Sequence, residues 1–125
     1  MKFLKLSNQI IVGLLFFSSS LFSAVQIIQP SENAYEEIQE AFILAEPGDV
    51  IRLTSGTYNL QDSLSLDVEG VQVEGEGMDQ TVLNFSNQQS GAQGLSVTSD
   101  NVTLQDFSVQ NAKGDAIKVK GVTNI

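Results

Sequence analysis

Few residues in this chain could do chemistry, and their types exclude much. Its 125 residues include no cysteine, no histidine and no tryptophan. That removes thiol and imidazole nucleophiles, an imidazole base, and thiolate or imidazole metal sites. Acid–base work would rest on carboxylates, lysines or tyrosines. Two stretches stand out. In "GVQVEGEGMDQTVLNFS" (70–86), Gly75 and Gly77 follow a short apolar run with the G-x-G spacing that opens a phosphate-cradling loop. Such a loop needs a third glycine near position 80, a helix after it and a charge that welcomes phosphate. Position 80 is Gln80, "TVLNF" (81–85) alternates like a strand, and Glu74, Glu76 and Asp79 repel a pyrophosphate. The glycines are therefore expected at a sharp corner between two strands, where backbone angles closed to other residues are needed.

The second stretch is "NAKGDAIKVKG" (111–121), which gathers Lys113, Asp115, Lys118 and Lys120. With Ile117 and Val119 facing inward, Lys118 and Lys120 would share one outward face. Outward lysines also serve solubility and edge protection. No arginine lies beside them. Asp100 and Asp106 precede the patch and could neighbour it, but turn formation explains them equally well.

The elements that would position these residues begin with a leader. Lys2 and Lys5 precede the apolar run "IIVGLLFF" (10–17), and a Ser-rich stretch ends in "LFSA" (21–24). This is the pattern of a secretory signal peptide over residues 1–24, with cleavage expected after Ala24 and a periplasmic or secreted product. The run is well short of the roughly 20 residues needed to span a bilayer. Fifteen acidic residues stand against six basic ones, net −9, and all the acids follow the leader. Such a surface excludes nucleic acid and anionic membrane as partners once the signal is removed, because neutralising phosphates takes clustered Lys and Arg.

After the leader, "NAYEEIQEAFILAEPGD" (33–49) predicts one amphipathic helix. Asn33 and Glu36 have capping-box spacing. Tyr35, Ile38, Ala41, Phe42 and Ala45 form an apolar stripe, and Pro47-Gly48 stops the helix. From Val50 onward the period changes to two. "VIRL" (50–53), "LSL" (64–66), "VQV" (71–73), "TVLNF" (81–85), "LSV" (95–97), "VTL" (102–104), "FSV" (107–109) and "IKV" (117–119) each read as a short strand. "LSLDVEGVQVEG" (64–75) aligns without gaps to "LSVTSDNVTLQD" (95–106), and "IKVKGVTNI" (117–125) repeats the start again. A recurrence of about 20 residues built of strands and turns predicts a solenoid. The longer step from Leu64 to Leu95 is read as a surplus loop at "SNQQSGAQG" (86–94).

"AEPGDVIRLTSGTYNL" (45–60) followed by "VQVEGEGMDQTVLNF" (71–85) resembles the entry of right-handed parallel β-helix proteins of the pectin-lyase-like superfamily. The pattern is "PGD-x-I-x-L-x-x-G-x-Y", then "V-x-V-x-G-x-G", then "T-V-L", and the likeness runs from about residue 34 to 125. It is most similar to exported bacterial β-helix repeat proteins with no established reaction, some encoded beside a c-type cytochrome. The resemblance implies an all-β fold, a right-handed parallel β-helix (solenoid) with an N-terminal amphipathic capping helix. Residues 25–49 would hold a first strand and the cap, and residues 50–125 the coils. The chain is expected to be the N-terminal fragment of a longer protein, since it stops at Ile125 inside a strand.

Enzymes of that superfamily use Arg or Lys as base, with Asp clusters or Ca²⁺ neutralising a uronate, or paired Asp for hydrolysis. No such motif matches here, so the catalytic residues are unknown and no cofactor-binding or metal site is assigned. Ca²⁺ is the one ion the carboxylates and turn carbonyls could take, though no D-x-D-x-D-G or nonapeptide repeat is present. Asn84-Phe85-Ser86 and Asn101-Val102-Thr103 fit the glycosylation acceptor pattern. The expected function is an exported scaffold that binds a polysaccharide or a cell-envelope protein, a c-type cytochrome encoded nearby among the candidates. The alternative is the N-terminal part of a polysaccharide lyase, epimerase or hydrolase with its catalytic residues beyond residue 125.

Overall fold

The computed structural model describes residues 23–124. The expected signal peptide falls on residues 1–22, outside the described residues, apart from Ser23 and Ala24. Ala24 is held in the fold: its N–H donates to Asp49 Oδ1 at 3.0 Å and its carbonyl accepts from Val50 N–H at 2.9 Å.

In chain order the elements are β1 (Val25–Ile28), α1 (Ala34–Leu44), β2 (Val50–Leu53), β3 (Gly56–Asn59), β4 (Leu64–Leu66), β5 (Gln72–Glu74), β6 (Thr81–Asn84), β7 (Leu95–Val97), β8 (Thr103–Gln105), β9 (Ser108–Gln110) and β10 (Ile117–Val119). They build three short sheets ordered β1-β2-β5-β8, β3-β6-β9 and β4-β7-β10. Every pairing is parallel.

The expected all-β, right-handed parallel β-helix is corrected by this arrangement. Parallel strands are compatible with a β-helix, but a solenoid is not shown. The strands are three or four residues long and irregular backbone joins them. Neighbouring strands are offset by 22 residues at Arg52–Glu74, 25 at Asn59–Asn84 and 31 at Glu74–Gln105, not by one repeat. The helix, moreover, belongs to the core. Ala34, Ile38, Ala41 and Phe42 are buried in the same cluster as Ile51, Leu53, Tyr58, Leu64, Leu66, Val73, Leu83, Leu95 and Val97. The fold is three short parallel sheets and one helix around a shared core.

The alternation of the strands explains that core. In β4 and β7 the first and last residues are buried and the middle serine is not, as one-faced strands of period two require. Aligned Leu64/Leu66 and Leu95/Val97 are register partners, and Ile117/Val119 join the same rows. Tyr58 is wholly buried in β3, its hydroxyl 2.9 Å from the carbonyl oxygens of both Ile28 and Thr54. Burial pushes that phenol up from its usual pKa. A buried hydroxyl without such partners would carry a desolvation cost.

Helix α1 packs against β1, β3 and β4, which are the first strands of the three sheets. The Gln39 amide completes the join: its Nε2 donates to Ser65 O at 2.9 Å and its Oε1 accepts from Ser65 N–H at 2.9 Å. A side chain thus satisfies backbone groups on β4 that a neighbouring strand would otherwise bond. The predicted capping box is absent, because Asn33 at φ −103, ψ 25 lacks the extended backbone of a cap residue and makes no side-chain cap bond. Ser31 replaces it, with its Oγ accepting from Asn33 N–H at 3.1 Å and donating to the Glu37 carboxylate.

Candidate functional site

The Gly75–Gly77 corner links β5 to β6, as expected, but the two glycines serve different needs. Gly77 has φ +140, a conformation that favours glycine. Gly75 does not; it is needed for space, since a Cβ there would collide with the Asp106 carbonyl oxygen and lie 2.8 Å from Thr81 Cβ. Gly75 N–H donates to Gln105 O at 3.0 Å and Gly77 N–H to Asp106 O at 2.8 Å, so these amides are spent on the adjacent chain segment. Glu76 accepts from Ser55 N–H at 2.9 Å.

Of the lysine-rich stretch, the structure brings only Lys118 and Asp115 together, at 3.9 Å and with both side chains about half exposed. Such a pair contributes little. Lys113 and Lys120 are exposed, and Ile117 and Val119 are 42% and 41% exposed although their register partners Leu95 and Val97 are fully buried. Asp100 accepts from Thr123 N–H at 2.8 Å, and Asp106 sits at φ 63 in a turn. Asn84 lies in a ladder: it donates to Asn59 Oδ1 at 2.9 Å and accepts from Asn111 Nδ2 at 2.8 Å. Its amide nitrogen is therefore engaged rather than presented for glycosylation. Asn101 accepts from Asn124 Nδ2 at 2.9 Å.

The most organised polar surface lies elsewhere, on the outer face of the first sheet. Register places Arg52 beside Glu74 and Glu74 beside Gln105, with Gln72 two residues before Glu74 on β5. Arg52 Nε donates to Glu74 Oε2 at 2.6 Å. Gln72 Nε2 donates to Glu74 Oε1 at 2.5 Å, and Gln105 Nε2 lies 3.5 Å from the same oxygen. The Arg52 side chain is 45% exposed and that of Glu74 16%. Each of these groups is planar, and the row stands on strands spaced about 4.8 Å apart. Beside it, β1 exposes Val25 and Ile27.

The Arg52 hydrogen bond holds the Glu74 carboxyl below its usual 4.5. Hydrogen bonds from Thr98 and Ser99 hold Asp67 below 3.8 in the same way. A carboxyl more acidic when folded stabilises the fold above its unfolded pKa, and that contribution is lost as pH falls through the folded value. The melting temperature should therefore fall on acidification below about pH 4.5, and Glu74→Gln should flatten part of the fall. A melting profile that the substitution leaves unchanged would contradict this role for Glu74.

Among the described residues there is no enclosed pocket. Nor do three or more carboxylates gather closely enough there to hold a metal ion, and no helix among them is long and apolar enough to cross a membrane.

No family model matches the chain, and no curated protein or solved structure does. The resemblance to pectin-lyase-like proteins rests on its residues alone.

Proposed function

We propose that the chain is an exported binding scaffold whose working surface is the outer face of the first sheet, and that its partner is an extended, hydroxyl-rich, uncharged glycan. The observation that carries this reading is the Arg52–Glu74–Gln72–Gln105 row. Arg52 spends Nε on Glu74, and no hydrogen bond engages its terminal nitrogens among the described residues. A fixed, half-exposed guanidinium beside two amides offers paired donors and acceptors suited to vicinal hydroxyls. The charge of the row is internally balanced, while the chain as a whole is strongly acidic. A neutral polymer therefore meets no repulsion, whereas a polyuronate would.

The test is affinity electrophoresis of the folded chain in gels containing neutral polysaccharides. Retardation is expected, and Arg52→Ala should weaken it at least about tenfold, the loss of a charge-assisted hydrogen bond or two. Lys118→Ala, on the third sheet, should leave it unchanged. Equal retardation of the Arg52→Ala chain, or none with any neutral glycan, would overturn the proposal. Capture of a cell-envelope protein instead would point to the other class of partner.

A further inference from the structure

The outer face of the first sheet has an apolar half and a polar half. Register and alternation set its side chains in two rows that cross the strands. One row runs Ile27, Arg52, Glu74, Gln105, and the other Val25, Val50, Gln72, Thr103. On β5 and β8 both rows are amide, carboxylate and hydroxyl groups. On β1 they are aliphatic, with Val25 54% and Ile27 58% exposed, and Val50 lies half-buried beside Val25. Gln26, between Val25 and Ile27, pairs with buried Ile51 and belongs to the opposite side of the sheet. Arg52 and Glu74 are the only charged members of the two rows, and they bond to each other at 2.6 Å. Arg52 stands at the boundary: its Nε is fixed on Glu74 of β5, and Ile27 of β1 is its neighbour on the other side, one strand spacing of about 4.8 Å away. A ligand hydroxyl reaching from Arg52 toward β1 meets no polar side chain in either row. Covering a hydroxyl there costs its hydration, whereas a methyl group gains by leaving water.

Resting on the reading of this face as a glycan site, we propose that the sugar unit held by Arg52 is a 6-deoxyhexose whose methyl group is seated on Val25, Ile27 and Val50. In a pyranose ring the substituent on carbon 5 lies across the ring from the hydroxyl pair on carbons 2 and 3. One unit therefore spans both halves of the face when that pair bonds the terminal nitrogens of Arg52. An ordinary hexose in the same pose sets a hydroxymethyl group against Ile27, and a uronic acid sets a carboxylate there, which is costlier still to desolvate. The amides of Gln72 and Gln105 remain for the hydroxyls of the next unit on the polar side. Selectivity of this kind comes as much from what the aliphatic half rejects as from what it accepts.

Competition in the affinity gels tests this. With the folded chain retarded by a neutral polysaccharide, soluble sugars that differ only at carbon 6 are added in pairs: L-fucose against L-galactose, and L-rhamnose against L-mannose. In at least one pair the 6-deoxy sugar should release the chain at a concentration at least about fourfold lower, the worth of one methylene taken from water. Ile27→Thr keeps a β-branched side chain at an exposed strand position and should bring the two concentrations together. Circular dichroism checks that this variant retains the parent fold; if it does not, the ratio measured on the parent decides. Equal release within both pairs, earlier release by the hexose, or release by neither member, in a gel that still retards the chain, would overturn the 6-deoxyhexose while the scaffold reading stands. A preference that folded Ile27→Thr leaves intact would overturn it too. No retardation in any neutral gel would instead overturn the scaffold reading, and this inference with it.

Discussion

Gly75→Ala is expected to leave the chain largely unfolded at ordinary temperatures. The added Cβ would collide with the Asp106 carbonyl oxygen and crowd Thr81 Cβ at 2.8 Å and Phe107 Cβ at 3.0 Å. The first of these is backbone, tied in place because Gly77 N–H donates to Asp106 O at 2.8 Å. Neither strand can shift without breaking the β5–β8 pairing, which joins Gln72, Val73 and Glu74 to Thr103, Leu104 and Gln105. Overpacking of this kind costs about 3 kcal/mol or more, a large share of a small domain's roughly 5–15 kcal/mol. Gly121→Ala is the control. It has φ +70 but meets nothing within 4 Å, so its cost should stay near the ~1 kcal/mol of a left-handed residue. Thermal melting of the two variants beside the parent checks the contrast. A Gly75→Ala chain that melts within a few degrees of the parent would contradict the packing at this corner.

Phe42→Ala should be nearly as severe. Phe42 is 2% exposed and joins α1 to the core shared by the three sheets. Removing a buried phenyl ring costs about 3–5 kcal/mol. Because Ala34, Ile38, Ala41 and Phe42 pack in one cluster with the strands, helix and sheets should unfold together. Urea unfolding followed at a helix-sensitive and a sheet-sensitive wavelength should give one coincident transition, shifted to lower urea in the variant. A helix that melts first, with the sheets persisting to the parent midpoint, would show that α1 is an appendage.

The strands were legible wherever apolar and polar residues alternate, as in "VIRL" and "LSL". Strand β3 was not, because Gly56 and Asn59 at its ends are turn formers and only Tyr58 marks the buried face. The helix stripe is readable from spacing, but its N-terminal hydrogen bonds are not: Ser31 takes the Asn33 N–H that Glu36 was expected to accept, and the backbone angle of Asn33 leaves its own side chain without a cap bond. Gly75 and Gly77 looked alike in sequence, and only the proximity of Asp106 separates a need for space from a need for positive φ. A regular solenoid was inferred from a recurrence of residues that do pair in register, yet recurrence does not fix loop lengths or exclude a helix from the core.

The candidate face was missed altogether. Arg52 and Glu74 are separated by 22 residues, and their contact depends on the register between β2 and β5. The available signal was that both occupy outward positions of alternating strands, between buried Ile51 and Leu53 and after buried Val73. The lysines of residues 111–121 are close in sequence, which is a poor guide to what is close in a parallel sheet.

The most direct test of the binding face is a backbone-amide NMR titration of the folded chain with a soluble neutral oligosaccharide that retards it in gels. The prediction is that the largest shifts fall on Arg52, Gln72, Glu74 and Gln105 and spare residues 111–121. Shifts centred on Lys113, Lys118 and Lys120, or none at the Arg52–Glu74 row, would contradict it.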